Sequence, residues 1–397
     1  MNELRQQIRR DRARLVALRR DFHRHPELSL REHRTARIIE AELDALGISH
    51  TRVGETGVLG ILDGNGPGEG VIALRSDIDA LPIREENGTD YRSETDGVMH
   101  ACGHDAHITC LLGAAKALAE NRERFGGRVL FIFQQAEEIG RGANQFLEAG
   151  ALESAERVFG LHCAPDLPAG AIGVTPGLNN AAVDLFRIDV RGESTHVSSP
   201  HLGSDALYAA SQIVVALQGL AARRISPTEP VILGVGRLNA GTAYNAVAAH
   251  AVLEGTTRTI SQETRFKVRG WIDQAAREIA ALSGAAAKVS WEGISSALIN
   301  DPQVSGEVAR VAGLLGEDII VVTDRPMTMI GDDFAEFMFS VPGCYAFLGT
   351  SDPERPGTCH NIHSDKFDLD EDALVLGAAL HAGYALWWLT EGRQNEI

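Results

Sequence analysis

Basic side chains are in short supply. The 397-residue chain has 37 Lys and Arg against 54 Asp and Glu, a formal charge of −17. This argues against a nucleic-acid or anionic-membrane partner, since either needs a basic face. Cysteine is sparse as well: Cys102, Cys110, Cys163, Cys344 and Cys359 are odd in number and widely spread. That pattern argues against a disulfide framework and for a reduced, cytoplasmic protein. No uninterrupted apolar stretch approaches the roughly 18–20 residues that span a bilayer. The opening MNELRQQIRRDRARL lacks the apolar run of a secretory signal. Glu3, Asp11 and Asp21 interrupt its arginines, unlike an organelle transit peptide, and Ile8, Leu15, Leu18 and Phe22 recur at helical intervals. Aromatic residues make up only 6%, yet the hydrophobic fraction of 44% can fill real cores and excludes wholesale disorder. Because single cores stop growing at about 250–300 residues, the length implies two domains.

Through about residue 180 helices and strands alternate. RTARIIEAELDALG reads as a helix closed by Gly47; VLGILDG and GVIALRS are strand-length apolar runs; AHITCLLGAAKALAEN is helical, GRVLFIFQQ a strand, GANQFLEAGAL a helix and ERVFGLH a strand. Near-continuous apolar strands between helices predict a mostly parallel sheet covered on both faces. From about Asp184 the rhythm becomes β-α-β-β-α-β: DLFRIDVRG, SDALYAASQIVVALQGLAARR, PVILGVGRL, AVAAHAVLEGTTRT, SQETRFKVRGWIDQAAREIAALSG and AKVSWEG. That order is ferredoxin-like and complete in itself. The expected organisation is an α/β domain formed by residues 1–182 and 295–397, with residues 183–294 inserted into it. The tail holds a strand, CYAFLGT, and a helix around Glu371–Leu389.

Ligands of open α/β sheets gather outside the carboxyl ends of the strands, and the polar clusters fall there. GVIALRS leads into Asp77 and Asp79, FIFQQ into Glu137 and Glu138, and RVFGL ends on His162, while MHACGHDAH (99–107) opens a helix. Cys102 and His104, one residue apart in a glycine-containing loop, can turn toward one ion, and the helix N-terminus favours thiolate at Cys102. A buried thiol beside capping groups, or a cysteine nucleophile with His104 as base, are the alternatives. The second is weakened by the surrounding carboxylates, which oppose thiolate formation. Adjacent Glu137 and Glu138 suit two tasks, one binding metal while the other serves as general base; alone, the pair also reads as a solvated acidic turn. The mixed Cys, His and carboxylate set is compatible with zinc, manganese, cobalt or nickel. The glycines at 64, 66 and 68 form no nucleotide fingerprint, because they precede a strand rather than a helix.

Along its whole length the chain resembles the aminoacylase/carboxypeptidase family of dinuclear metallohydrolases, amidohydrolase subgroup. The resemblance is carried by HRHPELS (23–29), RSDIDALPI (75–83), MHACGHDAH (99–107), AEEIGRGA (136–143), FGLH (159–162), GESTHVSSP (192–200), NAVAAHAVLEGTTRT (245–259), GDDFAEF (331–337) and HSDKFDLDED (363–372). It implies two divalent ions held by Cys102, His104, Glu138, His162 and His363, with Glu137 as general base. It further implies that His196, in the inserted domain, helps polarise the scissile carbonyl, usually of the partner subunit's site. Asn245 and Arg258 would contact the substrate, including its carboxylate, and the inserted domain would act as lid and homodimer interface. His360 rivals His363 as ligand; His363 is preferred because the family places Phe four residues after the ligand, here Phe367.

Asp77 stands where the family often has His, and both Asp77 and Asp79 are expected to orient a ligand histidine. His107 is expected to support rather than ligate, and His23 and His25 to hold a turn near Pro26. Gln135 replaces a usual Pro, and Glu193 and Ser194 occupy a stretch that is often basic and glycine-rich, so substrate preference does not transfer. The expected activity is metal-dependent hydrolysis of N-acyl amino acids. A carboxypeptidase or dipeptidase is the alternative on the same chemistry, and a cysteine hydrolase or a non-catalytic metal-binding protein are the rivals from other classes.

Overall fold

The computed structural model describes residues 1–393. Contacts divide it into two units: one from Met1–Asn179, Ile299–Pro326 and residues from Asp333 onward, the other from Asn180–Leu298 and Met327–Asp332.

In the first unit, strands β1 (Ser49–Val53), β2 (Gly57–Asp63), β3 (Val71–Asp77), β4 (Arg128–Gln134), β5 (Arg157–Pro168) and β6 (Ala171–Gly173) lie in one sheet with two later strands, Ile320–Val322 and Gly343–Ser351. The sheet's centre is parallel: β3 pairs with β4 and β5, and β5 with Gly343–Ser351. Toward its margins antiparallel pairs enter, β1 on β2, β2 on β4, and β6 on Gly343–Ser351, while the outermost Ile320–Val322 pairs parallel with β6. The expected mostly parallel sheet is therefore correct for the strands that carry the polar clusters and is completed by mixed margins. β1 escapes a hydrophobicity reading because it is short, polar and half exposed, as edge strands are. The central strands are buried along almost their whole length, since helices cover both faces.

One of those covers pairs the helix His104–Glu120 with the helix Ala373–Trp387, both buried on nearly every side. Close approach needs a missing side chain: a Cβ on Gly113 would lie 2.9 Å from Cβ of Ala378. The run Ala373–Gly392 has the length and apolarity of a membrane span, contrary to the sequence expectation that none exists, but 94% of its most apolar window is buried inside the protein. Its apolarity is that of a core helix.

The second unit has the ferredoxin-like order. Strands Ala182–Arg191, Val231–Ala240, His250–Thr259 and Ala286–Ser295 form an antiparallel sheet in which the first and third are central and Val231–Ala240 is an edge. Helices Ala206–Arg224 and Gln262–Leu282 cover one face, burying Phe186, Ile188, Val190, Ile213, Leu217, Leu253, Val268 and Ile272. Asp184 is buried with them and is neutralised by Arg265 and Arg269. The third strand begins at His250, later than the sequence suggested, because Ala246–Ala249 form the loop leading into it.

Candidate metal centre and active site

β3, β4 and β5 run side by side, so their carboxyl ends deliver Asp77, the Glu137–Glu138 turn and His162 to one edge. β5 does not end on His162; it continues to Pro168. Its pairing with β3 stops at Gly160, however, and in that register His162 lies level with Asp77, the last residue of β3. The segment Ala101–Gly103 then supplies Cys102 from the loop that opens the helix at His104. Gly103 takes φ +87° there, and a Cβ at this position would sit 3.0 Å from the Cys163 sulfur. Glycine is required on both counts.

Donor atoms converge from these elements. Cys102, His104 and His162 present theirs within 4.8 Å of one another, as do Cys102, Glu138 and His363, and His104, Glu137 and Glu138. Cys102 belongs to two of these groups, and its sulfur lies 3.3 Å from His162 Nε2. The structure brings His363 into the cluster; His360 is exposed and in none of the groups.

Each histidine is oriented through its other nitrogen. His104 Nδ1 donates to the Asp79 carbonyl at 2.9 Å, and His162 Nδ1 to the Cys163 carbonyl at 2.8 Å. His104 Nε2 and Glu138 Oε1 are buried without hydrogen-bond partners, a costly state that a bound cation relieves. Electrostatics agree. Burial opposes a charge on His104, yet Asp77, Asp79 and Glu138 outweigh it and raise the pKa to about 10, so this pocket favours positive charge. Burial, with His107 beside it, holds His162 well below its ordinary value, leaving the neutral imidazole that metals bind. The residues present therefore fit a divalent-cation site of mixed sulfur, nitrogen and oxygen donors.

The supporting residues differ in part from expectation. Asp79 touches both the histidine and the glutamate turn. Its carboxylate accepts the backbone N–H groups of Glu137 at 3.2 Å and Glu138 at 3.1 Å and lies 3.4 Å from His104 Nδ1. Asp77 makes no hydrogen bond to a candidate ligand: it accepts from His107 Nδ1 at 2.6 Å and from Arg75 at 2.7 Å, while His104 Nε2 is 3.7 Å away. The register of β3 aims Asp77 at the helix's second histidine. His107 then accepts the Cys163 N–H at 2.8 Å, so both its nitrogens are hydrogen-bonded, and Asp77, His104 and His107 also present donor atoms within 4.8 Å of one another.

His23 does not hold a turn. It lies within the helix Arg12–Arg24, buried, bonded to Asp105 at 2.8 Å and Glu85 at 3.2 Å. Arg19 joins the same Asp105 at 2.8 Å, tying this helix to the residue after His104. His25 does close a helix end, on the Asp21 carbonyl.

Two groups were missed in the sequence. Asp333, within GDDFAEF, accepts from Arg75, Gln134 Nε2 and the Ala143 N–H beneath the sheet edge. Glu32 accepts the Ala136 N–H. Asp333 sits in a recognisable motif and Glu32 three residues past one, but a carboxylate's backbone partner leaves no local pattern.

In the second unit, His196 and Asn245 are exposed neighbours: the N–H of Val197 donates to the Asn245 carbonyl, and His196 bridges to Ala246. His196 Nδ1 pairs with Ser198 Oγ at 2.7 Å. Arg258, half buried, donates to the Met329 carbonyl at 3.3 Å.

A mixed α/β sheet with convergent Cys, His and Glu donors at its strand ends and a second carboxylate beside them defines a metal-dependent hydrolase of the α/β class. More particularly, the chain belongs to the peptidase family M20/M25/M40, which it matches over residues 73–387. It is 38% identical to the N-acetyl-L-cysteine deacetylase of Bacillus subtilis, across 91% of this chain and 85% of that one. It is 36% identical to the thermostable carboxypeptidase 2 of Saccharolobus solfataricus, across 94% of each. A Bacillus subtilis crystal structure described as a dinuclear metal-binding peptidase of the M20 family superposes with a TM-score of 0.81 at 36% identity, covering 96% of this chain and 99% of that one.

Proposed function

We propose that the protein hydrolyses the amide bond of N-acyl amino acids, with two divalent ions held by Cys102, His104, Glu138, His162 and His363. The observation that carries this reading is the convergence of those five donors with Glu137 among them. Ions bound there supply Lewis acidity toward the carbonyl and lower the pKa of water toward neutrality.

The chain's own residues do the rest. Glu137, 8% exposed, takes the proton of an attacking water and returns it to the departing amine nitrogen. His196 donates to the carbonyl oxygen as negative charge develops on it. Arg258 pairs with the substrate carboxylate through its planar, always-charged guanidinium, and Asn245 contacts the same substrate. Asp79 fixes His104 and the amides of both glutamates, so the base and its neighbour are oriented before substrate arrives.

The ions are zinc, manganese, cobalt or nickel, the protein is cytoplasmic, and it works as a homodimer through the inserted unit, which acts as a lid. Supporting the dimer, the edge strand Val231–Ala240 exposes Ile232 and Leu238, and the helix Ala206–Arg224 exposes Leu207, Tyr208 and Val215. A dipeptidase or carboxypeptidase activity on the same site is the second reading, favoured by the extensive identity to the thermostable carboxypeptidase.

The test is a screen of N-acetyl, N-benzoyl and longer N-acyl amino acids beside dipeptides, each with defined added metals. Hydrolysis abolished by EDTA and recovered with metal supports the reading. Activity indifferent to chelation would point to a thiol enzyme, and no hydrolysis of any substrate to a non-catalytic site.

A further inference from the structure

The segment Pro26–Glu32 follows two histidines with structural partners, and the hydrolytic chemistry assigns it no task. It lies against the turn that carries the two glutamates. Ser29 Oγ donates to Asp79 Oδ2 at 2.6 Å. Glu32 is fully buried; one of its oxygens accepts the Ala136 N–H at 2.9 Å and the other the Thr56 hydroxyl at 2.7 Å. Asp79 takes the next two amides, those of Glu137 and Glu138. Three consecutive N–H groups are therefore held by two buried carboxylates. Burial, with Asp79 nearby, raises the Glu32 pKa, and its two hydrogen bonds offset this only in part.

Ala136 is what these contacts hold. It adopts φ +54°, in the left-handed region that a Cβ-bearing residue disfavours. Only three non-glycine residues of the described chain have positive φ: Leu30 in this same segment, Ala136, and the candidate ligand His363. The conformation has a geometric consequence. Side chains of successive residues on a continuing strand point to opposite faces, so Glu137 and Glu138 could not both reach one cluster if β4 ran on. A left-handed residue placed just before them ends the alternation, and both carboxylates meet His104 within 4.8 Å.

We propose that Glu32 is a positioning residue: by accepting the Ala136 N–H it locks the left-handed turn that brings Glu137 and Glu138 to the same side, with Ser29 acting alongside through Asp79. This rests on the reading of Glu137 as base and Glu138 as metal ligand.

The test compares Glu32→Leu, Glu32→Gln, Ser29→Ala and the double variant Glu32→Leu with Ala136→Gly. The readouts are kcat, KM, zinc affinity by chelator competition, and thermal midpoint. Glu32→Leu is expected to weaken zinc binding or lower kcat by about 10–100-fold, as loss of a ligand-orienting group does, with KM little changed. Glu32→Gln keeps an acceptor oxygen and restores most of the loss. Ala136→Gly removes the Cβ penalty of the left-handed turn and recovers part of it in the double variant. Glu32→Leu with wild-type kcat and zinc affinity overturns the inference, as does equal impairment of the Leu and Gln variants. So does a double variant no better than Glu32→Leu at the same thermal midpoint. Should Glu32→Leu not fold, Ser29→Ala decides: it folds and loses part of kcat or zinc affinity, and no change in either overturns the role. Wild-type protein inactive on every substrate would defeat the functional reading instead, while the zinc measurements still judge Glu32.

Discussion

Gly103 joins the two most closely spaced candidate ligands, and Gly103→Ala tests whether the site depends on that junction. The residue sits at φ +87°, and the added Cβ would meet the Cys163 sulfur at 3.0 Å, the Cys163 Cβ at 3.2 Å and the Phe367 ring at 3.4 Å. A left-handed conformation costs a non-glycine residue about 1–2 kcal/mol. Overpacking a full site adds about 1–3 kcal/mol, and Cys163 and Phe367 are both buried, so neither can step aside. The sum is about 2–5 kcal/mol, or roughly 2 °C of thermal midpoint per kcal/mol for a unit of this size.

Gly47→Ala is the control. Gly47 has φ +63° with nothing within 4 Å of where its Cβ would stand, so it incurs only the backbone cost. Urea unfolding of both variants separates the two contributions, and metal content reads the local consequence. Gly103→Ala is expected to be the less stable of the pair by about 1–3 kcal/mol and to lose metal, whereas Gly47→Ala keeps it. Equal stability losses, or full metal occupancy in Gly103→Ala, would refute the claim that the Cys102–His104 spacing is held by this close contact.

Glu137→Gln should retain bound metal while kcat falls by about 10²–10⁴-fold, the contribution of a positioned general base; a fully active variant removes the assignment. Asp105 is held well below the usual carboxylate range: burial opposes its charge, but Arg19 and His23 outweigh that. A depressed native pKa contributes stability that is complete above the unfolded value of about 3.9 and lost as pH falls below it. Asp105→Asn should therefore cost about 3–5 kcal/mol at neutral pH, the consequence of breaking a buried pair, and flatten the acid limb of stability in unfolding curves collected from pH 3 to 7. His196→Ala should impair turnover without releasing metal, and mixing it with Glu137→Gln should restore activity if the histidine serves the partner's site. No recovery in the mixture argues against sharing across a dimer.

Much of this chemistry was legible in one dimension. Apolar runs leading into Asp77, Glu137 and His162, and a Cys-x-His loop before a helix, announce themselves because such runs and helix starts are local patterns, and the ferredoxin-like order follows from the same periodicity. What the linear reading could not supply was partnership across distance. Asp77 and Asp79 look equivalent two residues apart, yet β3 ends at Asp77, which meets His107 and Arg75, while Asp79 lies past the strand's end and meets His104 and the glutamate turn. His23 and Asp105, 82 positions apart, meet only because two helices pack. His360 and His363 are separated by three residues; the family resemblance favours the second, and the folded backbone, with the His363 N–H on the Ala101 carbonyl, brings that one beside Cys102 and Glu138. Residue types and their spacing determined which chemistry was available; burial and long-range hydrogen bonds, which depend on how elements pack rather than on neighbours in the chain, decided which side chains are brought together.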